Sequence, residues 1–352
     1  MSQMDNLNQK TTFFINSVSS NYEILIFILL LTTILILLFS KLCFKFNILD
    51  IPNKRKSHKS PMPISGGLTL VVVLLLNILY LKIFNNNSAD FFINIFFFSF
   101  CFFIFGFIDD TKGFQTNIKV LIIVFLIFLI LLYSNDLTLK NLKFYYVFEK
   151  TFILDILAIP FTIFCIFMLF NALNFADGKN GISIALSIYW LFYLMFKISS
   201  DIFFVIELIA ILIIVLYFNL KNKLFLGNSG VNFLSIFISL LIIKSYNTQN
   251  ISFFCDEIFL LLFIPGIDAA RVTIYRALKK KSPFSPDKTH LHHYLEKYIN
   301  DNFIWLFYLL ISIVPILILK LTQSFFISLL LSSILYLILF NKFFAKIFKS
   351  IR

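Results

Sequence analysis

FFINIFFFSFCFFIFGFIDD, residues 91–110, decides how this chain is read. From Phe91 to Ile108 the run is eighteen residues long and apolar in character, about the length a helix needs to cross a bilayer. It ends on two adjacent acids, Asp109 and Asp110. Under the topology argued below, this helix enters from outside, so the acids sit at its cytoplasmic C-terminus. Carboxylates are disfavoured there by the helix dipole and by each other's charge. Two acids held against the local electrostatics suggest a bound cation, a phosphate-handling site, or both.

The rest of the chain agrees with a membrane reading. It has 352 residues, 60% of them hydrophobic, and a mean hydropathy of +0.92, values of polytopic membrane proteins and not of soluble enzymes. The 49 phenylalanines read as lipid-facing and inter-helix packing. Cys43, Cys101, Cys165 and Cys255 are isolated and form no CxxC pair, so neither a zinc site nor a disulfide framework is indicated. The first apolar stretch, Ile24 to Phe39, is too long for a signal h-region and lacks a small-residue cleavage site, so it reads as a retained helix.

Eleven spans are expected, at about 24–44, 67–84, 91–108, 118–134, 152–170, 181–197, 202–218, 230–247, 254–276, 303–321 and 324–345, giving an all-α, polytopic membrane helical bundle. No repeat, low-complexity tract or long linker divides it, so residues 1–352 are expected to form one domain. With the N-terminus outside and the C-terminus inside, 22 of the 30 lysines and arginines fall on the cytoplasmic side. The opposite orientation inverts that ratio, so the positive-inside rule favours N-out, C-in. The net charge of +12 is then topology and anionic-lipid contact. Nucleic-acid binding is a poor explanation, because the basic residues are split among loops. The inward loops, at 45–66, 109–117, 171–180, 219–229 and 277–302, hold all four histidines. Any chemistry is therefore expected to face the cytoplasm.

Five short blocks carry that chemistry. The first, DIPNKRKSHKSPMPISGG (50–67), offers Arg55, His58 and neighbouring lysines to a phosphate or an anionic head group. GFIDDTKG (106–113) presents Asp109 and Asp110, able to help place Mg²⁺ or to act as a base toward an attacking phosphate. In NALNFADGKNG (171–181), Asn171 and Asn174 share a helix face, and Asp177 extends the row. Amide carbonyls and a carboxylate make a hard-oxygen set suited to Mg²⁺. FLGNSGVNFLS (225–235) places Asn228 and Ser229 at a helix start, where free N–H groups suit a phosphate.

The last block, 265–297, sets Asp268 and Arg271 three residues apart within an apolar helix, a pairing that is costly in a membrane and usually functional. Its HLHH run places His290 and His293 on one helical face with His292 turned away. In so basic a loop, contact with phosphate or sugar is favoured over zinc. Asp109, Asp110 and Asp268 are the candidate catalytic residues. Elsewhere, Asp256 and Glu257 begin a span where the dipole favours acids. Glu207 is an intramembrane acid, and so a functional candidate by default, whose partner the sequence does not name.

Taken together and in this order, the five blocks resemble the polyprenyl-phosphate N-acetylhexosamine-1-phosphate transferases (glycosyltransferase family 4). This superfamily includes undecaprenyl-phosphate GlcNAc-1-phosphate transferase and phospho-MurNAc-pentapeptide transferase. The likeness runs from Asp50 to about Lys297. It implies that a polyprenyl phosphate attacks the β-phosphorus of a UDP-N-acetylhexosamine, releasing UMP and starting a lipid-linked cell-surface glycan such as cell wall or lipopolysaccharide. It also implies Mg²⁺, or Mn²⁺ in its place, a bacterial cytoplasmic (inner) membrane, membrane lipid as a partner, and room for a homodimer. Family roles carried onto this chain make Asn174 and Asn228 metal-binding positions and put Asp109 and Asp110 near the attacking phosphate. Asn171 and Asp177 would line the uridine or metal region, and Arg271 with His290, His292 and His293 would contact the donor.

Two positions depart from the family pattern. Asn228 stands where Asp is usual, in a GNSGV block, and Asn180 replaces a second common Asp. Neutral ligands imply weaker Mg²⁺ binding. The HLHH run resembles the branch that uses simple N-acetylhexosamine donors. A transporter or flippase for an anionic substrate, or a catalytically impaired homologue, is the alternative. Against transport, no inverted repeat is visible and the polar residues gather on one face.

Overall fold

The computed structural model describes residues 21–51, 60–84, 86–198, 202–248, 253–280 and 289–340; Arg55 and His58 lie outside them. The chain is a helical, multi-pass membrane protein. In order come α1 (Tyr22–Lys45), β1 (Leu49–Asp50), β2 (Met62–Pro63), α2 (Ser65–Phe84), α3 (Asn86–Lys112), α4 (Thr116–Tyr133), β3 (Asn141–Lys143) and β4 (Thr151–Ile153). There follow α5 (Ala158–Ala176), α6 (Ile182–Met195), α7 (Ile202–Leu220), α8 (Gly227–Asn247), α9 (Cys255–Leu261), α10 (Phe263–Leu278), α11 (Leu291–Leu295), α12 (Ile304–Thr322) and α13 (Phe325–Phe340).

Each of the eleven expected stretches is helical over most of its described length. Among the described residues eight helices are long and apolar enough to cross a membrane. The α9–α10 pair makes a ninth if counted as one, and α6 and α13 are shorter apolar helices. The stretch expected as one straight span at 254–276 is bent by 71° at Leu262. Pro265 stands three residues beyond the break and has no N–H to return to the preceding turn, which is where a helix gives way.

The helices sort into two compact units. The first holds α1, α2, α3, most of α6, α7 and the start of α8. Here α1 packs on α2 and α7, and α2 packs on α3. Gly67 and Gly230 meet so closely that a Cβ on either would lie 2.7 Å from the other's backbone. Small residues of this kind let helices approach in lipid, where hydrophobicity does not drive association. Glu207, unexplained by sequence, accepts a hydrogen bond from Asn77 Nδ2 at 2.7 Å, a polar link joining α7 to α2.

The second unit holds α4, the β3–β4 hairpin, α5, the end of α8 and α9 through α13. Within it α5 packs on α4 and α10, and α12 packs on α9, α10 and α13. Exposure separates the helices by role. Only 17% of the α1 span is buried, against 94% of the α8 span. Lipid-facing α1 is therefore apolar all round, while enclosed α8 tolerates Asn232, Ser235, Ser239 and Ser245.

Candidate active site

In the first unit the awkward acids at the end of α3 find their partner in the chain itself. Asp110 Oδ1 accepts the backbone N–H of Asn228 at 3.1 Å, and its Oδ2 accepts that of Ser229 at 3.1 Å. These are the first free N–H groups of α8, so the carboxylate caps that helix and meets the positive end of its dipole. The N–H groups expected to receive a phosphate are thus already engaged by Asp110. Asp109 is nearly buried, and its Oδ2 accepts Asn228 Nδ2 at 3.3 Å. An amide side chain here donates to the neighbouring acid, where a carboxylate would repel it.

Gly227 makes this approach feasible. Its φ is +74°, and a Cβ there would meet Ile64 Cγ2 at 2.2 Å and Asp110 Oδ2 at 2.9 Å. Only glycine meets both conditions at low cost. The adjoining strand-like segment is zipped to the start of α2, with Gly66 N–H bonded to Phe225 O and Gly67 N–H to Leu226 O.

In the second unit Asn171 and Asn174 each donate their amide N–H to the carbonyl four residues back, Phe167 O and Phe170 O, both at 2.8 Å. With the nitrogens committed, the carbonyl oxygens are the atoms these side chains have to offer a cation. Asp177 closes α5 as its C-cap residue and accepts a short hydrogen bond from Ser183 Oγ.

Asp268 is the hub of this unit. Its Oδ1 accepts Arg271 Nη2 at 2.9 Å and Tyr336 OH at 2.8 Å, its Oδ2 faces His290 Nδ1 at 3.1 Å, and Leu291 N–H lies 3.1 and 3.2 Å from the two oxygens. Arg271 also donates to Tyr336 OH at 2.8 Å and to Thr289 O, and its guanidinium lies 4.4 Å from the Phe340 ring centre. A buried charge needs such saturation. Asp268, expected as a catalytic residue, is bonded to the HLHH segment through His290 and Leu291. Arg276 Nη2 lies 3.2 Å from His290 Nε2. Because guanidinium can only donate, that contact makes Nε2 an acceptor and puts the ring hydrogen on Nδ1, toward Asp268.

The three histidine rings lie together. His292 does not stand apart: its ring is 5.7 Å from that of His290 and nearly parallel to it, and 4.2 Å from that of His293. His292 is 1% exposed, and neither ring nitrogen has a hydrogen-bond partner among the described residues. Its ring lies against Gly178, where a Cβ would come within 2.1 Å of Nε2. Burial, and after it the neighbouring His293 and His290, hold His292 well below its ordinary pKa. Burial also lowers His293, outweighing Glu296. The turn at 177–181 is tied down by buried Lys179, which reaches Glu296 at 2.8 Å and Asp301 at 3.3 Å. Burial raises the Glu296 carboxyl, but Lys179 and then His293 outweigh it and leave it below its usual value.

Sequence reasoning missed Tyr336, Arg276 and Lys179. Tyr336 lies inside an apolar helix with nothing local to mark it. Lys179 and Arg276 read only as topology charges. Among the described residues no three His, Cys, Asp or Glu side chains group as a metal cage. The oxygen donors present, Asp109 and Asp110 with the Asn228 carbonyl in the first unit and the carbonyls of Asn171 and Asn174 in the second, are of the kind that suits a hard divalent cation relying on substrate phosphates for much of its charge.

These features define a class: a multi-pass helical membrane protein that gathers carboxylates, amides and histidines at its helix ends. The sequence model of glycosyl transferase family 4 matches residues 92–246, which contain the second, third and fourth blocks. A Bacillus subtilis (strain 168) protein, a probable undecaprenyl-phosphate N-acetylglucosaminyl 1-phosphate transferase, is 27% identical over 76% of this chain and 76% of its own length. The undecaprenyl-phosphate α-N-acetylglucosaminyl 1-phosphate transferase of Thermotoga maritima is 28% identical over 72% of this chain and 75% of its own. That of Salmonella typhi is 24% identical, over 76% and 74%.

Proposed function

We propose that this chain transfers N-acetylhexosamine 1-phosphate from a UDP-sugar to undecaprenyl phosphate, with release of UMP. The match to the glycosyl transferase family 4 model and relatives named as undecaprenyl-phosphate N-acetylglucosaminyl 1-phosphate transferases support the reading, and they do not favour a transporter. The observation that carries it is the acid pair at the end of α3, bonded to the Asn228–Ser229 block inside the family-matched segment. In the reaction an oxygen of the lipid phosphate attacks the β-phosphorus of the donor. The bond from that phosphorus to the bridging oxygen breaks, and UMP departs with the oxygen.

The chain's part is binding and orientation. Asp110 fixes the acid pair by capping α8, and Asp109 lies beside it at the helix end. Asp268, Arg271 and Tyr336 position the histidine segment, and His292 offers a donor and an acceptor to the nucleotide-sugar. Arg55 and His58 belong to the same reading as contacts to an anionic group, and Asn171 and Asp177 line the uridine or metal region. Asn174 in the second unit and Asn228 in the first are the metal-binding positions of this reading, each through its side-chain carbonyl oxygen, and Mg²⁺ would supply neutralisation of the diphosphate charge.

The five blocks serve one reaction in a single enzyme of eleven spans, N-out and C-in, with its chemistry on the cytoplasmic face of a bacterial inner membrane. The HLHH run favours a simple N-acetylhexosamine donor, and the product begins a cell-surface glycan. The test uses the purified full-length chain, undecaprenyl phosphate, Mg²⁺ and labelled UDP-GlcNAc. UMP and a lipid-linked sugar phosphate are expected, and Asp110→Asn should abolish both. No product from any UDP-N-acetylhexosamine rejects the reading.

A further inference from the structure

The second unit carries another polar assembly, at the opposite end of α5 from Asp177. The β3–β4 hairpin has only three residue pairs, Asn141–Ile153, Leu142–Phe152 and Lys143–Thr151, and such a ribbon is marginal alone. It is held by the ends of three helices. Near the end of α8, Tyr246 OH accepts Lys143 N–H at 2.6 Å and donates to Asn141 O at 3.0 Å. At the start of α9, buried Asp256 Oδ2 accepts the N–H groups of Tyr145 and Tyr146 at 3.0 and 2.6 Å. Beside it, buried Glu257 pairs with Lys320 of α12 at 2.6 Å, and Lys320 reaches Tyr146 OH at 3.4 Å. The acids expected merely to suit a helix dipole are clasps for the hairpin.

What this clasp presents outward is apolar. Ile153 is 70% exposed, Ile156 91% and Leu157 61%, and Phe148 and Phe152 are exposed beside them. A firmly held loop that shows such side chains to water is unfavourable, and a patch of this kind marks an interaction surface. Phe164 on α5, and Leu132 and Tyr133 at the end of α4, are exposed as well. Both helices adjoin the hairpin in the chain and are long and apolar enough to cross a membrane, so the exposed apolar residues run on along the chain into surfaces suited to lipid. The exposed charged residues within 140–157 are Lys140, Glu149, Lys150 and Asp155, and lysine can lay its stem on apolar surface while keeping its charge in water. Aromatic side chains beside lysines are the composition of a membrane–water interface.

We propose that residues 144–157 are a membrane-interface anchor, with the bilayer itself as the occupant of the exposed face. The hairpin lies in the head-group and upper acyl region at the end of the unit opposite Asn174 and Asp177, and its clasp fixes the depth of α5.

The test places Ile156→Trp in the full-length chain, at a side chain exposed enough for the change to leave folding intact. Leu157→Trp repeats it should the first variant fail to fold. Each is reconstituted in nanodiscs of phosphatidylcholine and phosphatidylglycerol, with the emission of the two native tryptophans measured in parallel and subtracted. The added emission should be blue-shifted, lose most of its intensity when the acyl chains are brominated, and resist iodide in the buffer. Quenching by iodide without quenching by brominated lipid would put the hairpin in water and overturn the proposal. Protection from both would make the occupant a protein surface and overturn it equally.

Discussion

Asn228→Asp tests the electrostatics of the acid pair most directly. Asn228 Nδ2 now donates to Asp109 Oδ2 at 3.3 Å. The substitution removes that hydrogen bond and sets two carboxylate oxygens at the same separation. Their repulsion is about 1 kcal/mol in a water-like dielectric and about 5 kcal/mol at an effective constant near 20. Asn228 is exposed and Asp109 nearly buried, so the true value lies between those limits. A carboxylate in the first turn of α8 recovers about 0.3–1 kcal/mol from the helix dipole. Without a divalent cation the variant should therefore melt on the order of a few °C below wild type. Added Mg²⁺ should stabilise the variant more than wild type and lower the concentration needed for half-maximal rate. The assays are thermal unfolding in chelator and across a Mg²⁺ titration, with activity in parallel. An unchanged or higher Mg²⁺ requirement refutes the assignment of Asn228 to the metal, and a variant as stable as wild type in chelator refutes the repulsion by Asp109.

Three further outcomes follow from the second unit. Tyr336→Phe deletes a hydroxyl bonded to both Asp268 and Arg271; hydrogen bonds to charged groups are worth about 1.5–3 kcal/mol, so kcat/KM should fall roughly 10- to 100-fold with little change in the Mg²⁺ requirement, and unchanged kinetics would count against the positioning role. Gly178→Ala drives a methyl into the His292 ring and should destabilise the chain by about 1–3 kcal/mol with loss of UMP release, whereas full activity would mean that the ring moves freely. The third outcome, a pH dependence, has a definite sign. His292 resists protonation when folded but not when unfolded, so its contribution to stability is present above about pH 6.5 and lost as pH falls below that value. Glu296, held below its ordinary value, adds a smaller loss in the same direction near pH 4.5 and lower. Unfolding temperatures in detergent between pH 8 and 5 (about the range over which histidine titrates) should show His292→Leu flattening the slope. An equal slope in both proteins would remove His292 as its cause.

The sequence by itself determined the class and the places of the helices. Apolar length is a local property, so residues 91–108 announced a membrane helix before any partner was known, and the lysines and arginines suggested an orientation. It also marked the helix ends that carry Asp109, Asn174, Asn228, Asp268 and the histidines, because polar blocks stand out in an apolar chain. Only the tertiary structure decided what those groups do to one another. The capping of α8 by Asp110 joins residues 119 apart in sequence, and the Asp268–Tyr336 bond joins residues 68 apart. The clasp of Asp256 on the hairpin spans 110. Nothing in the local sequence encodes such pairings: a buried carboxylate must find donors, but which donors reach it is set by how the helices pack.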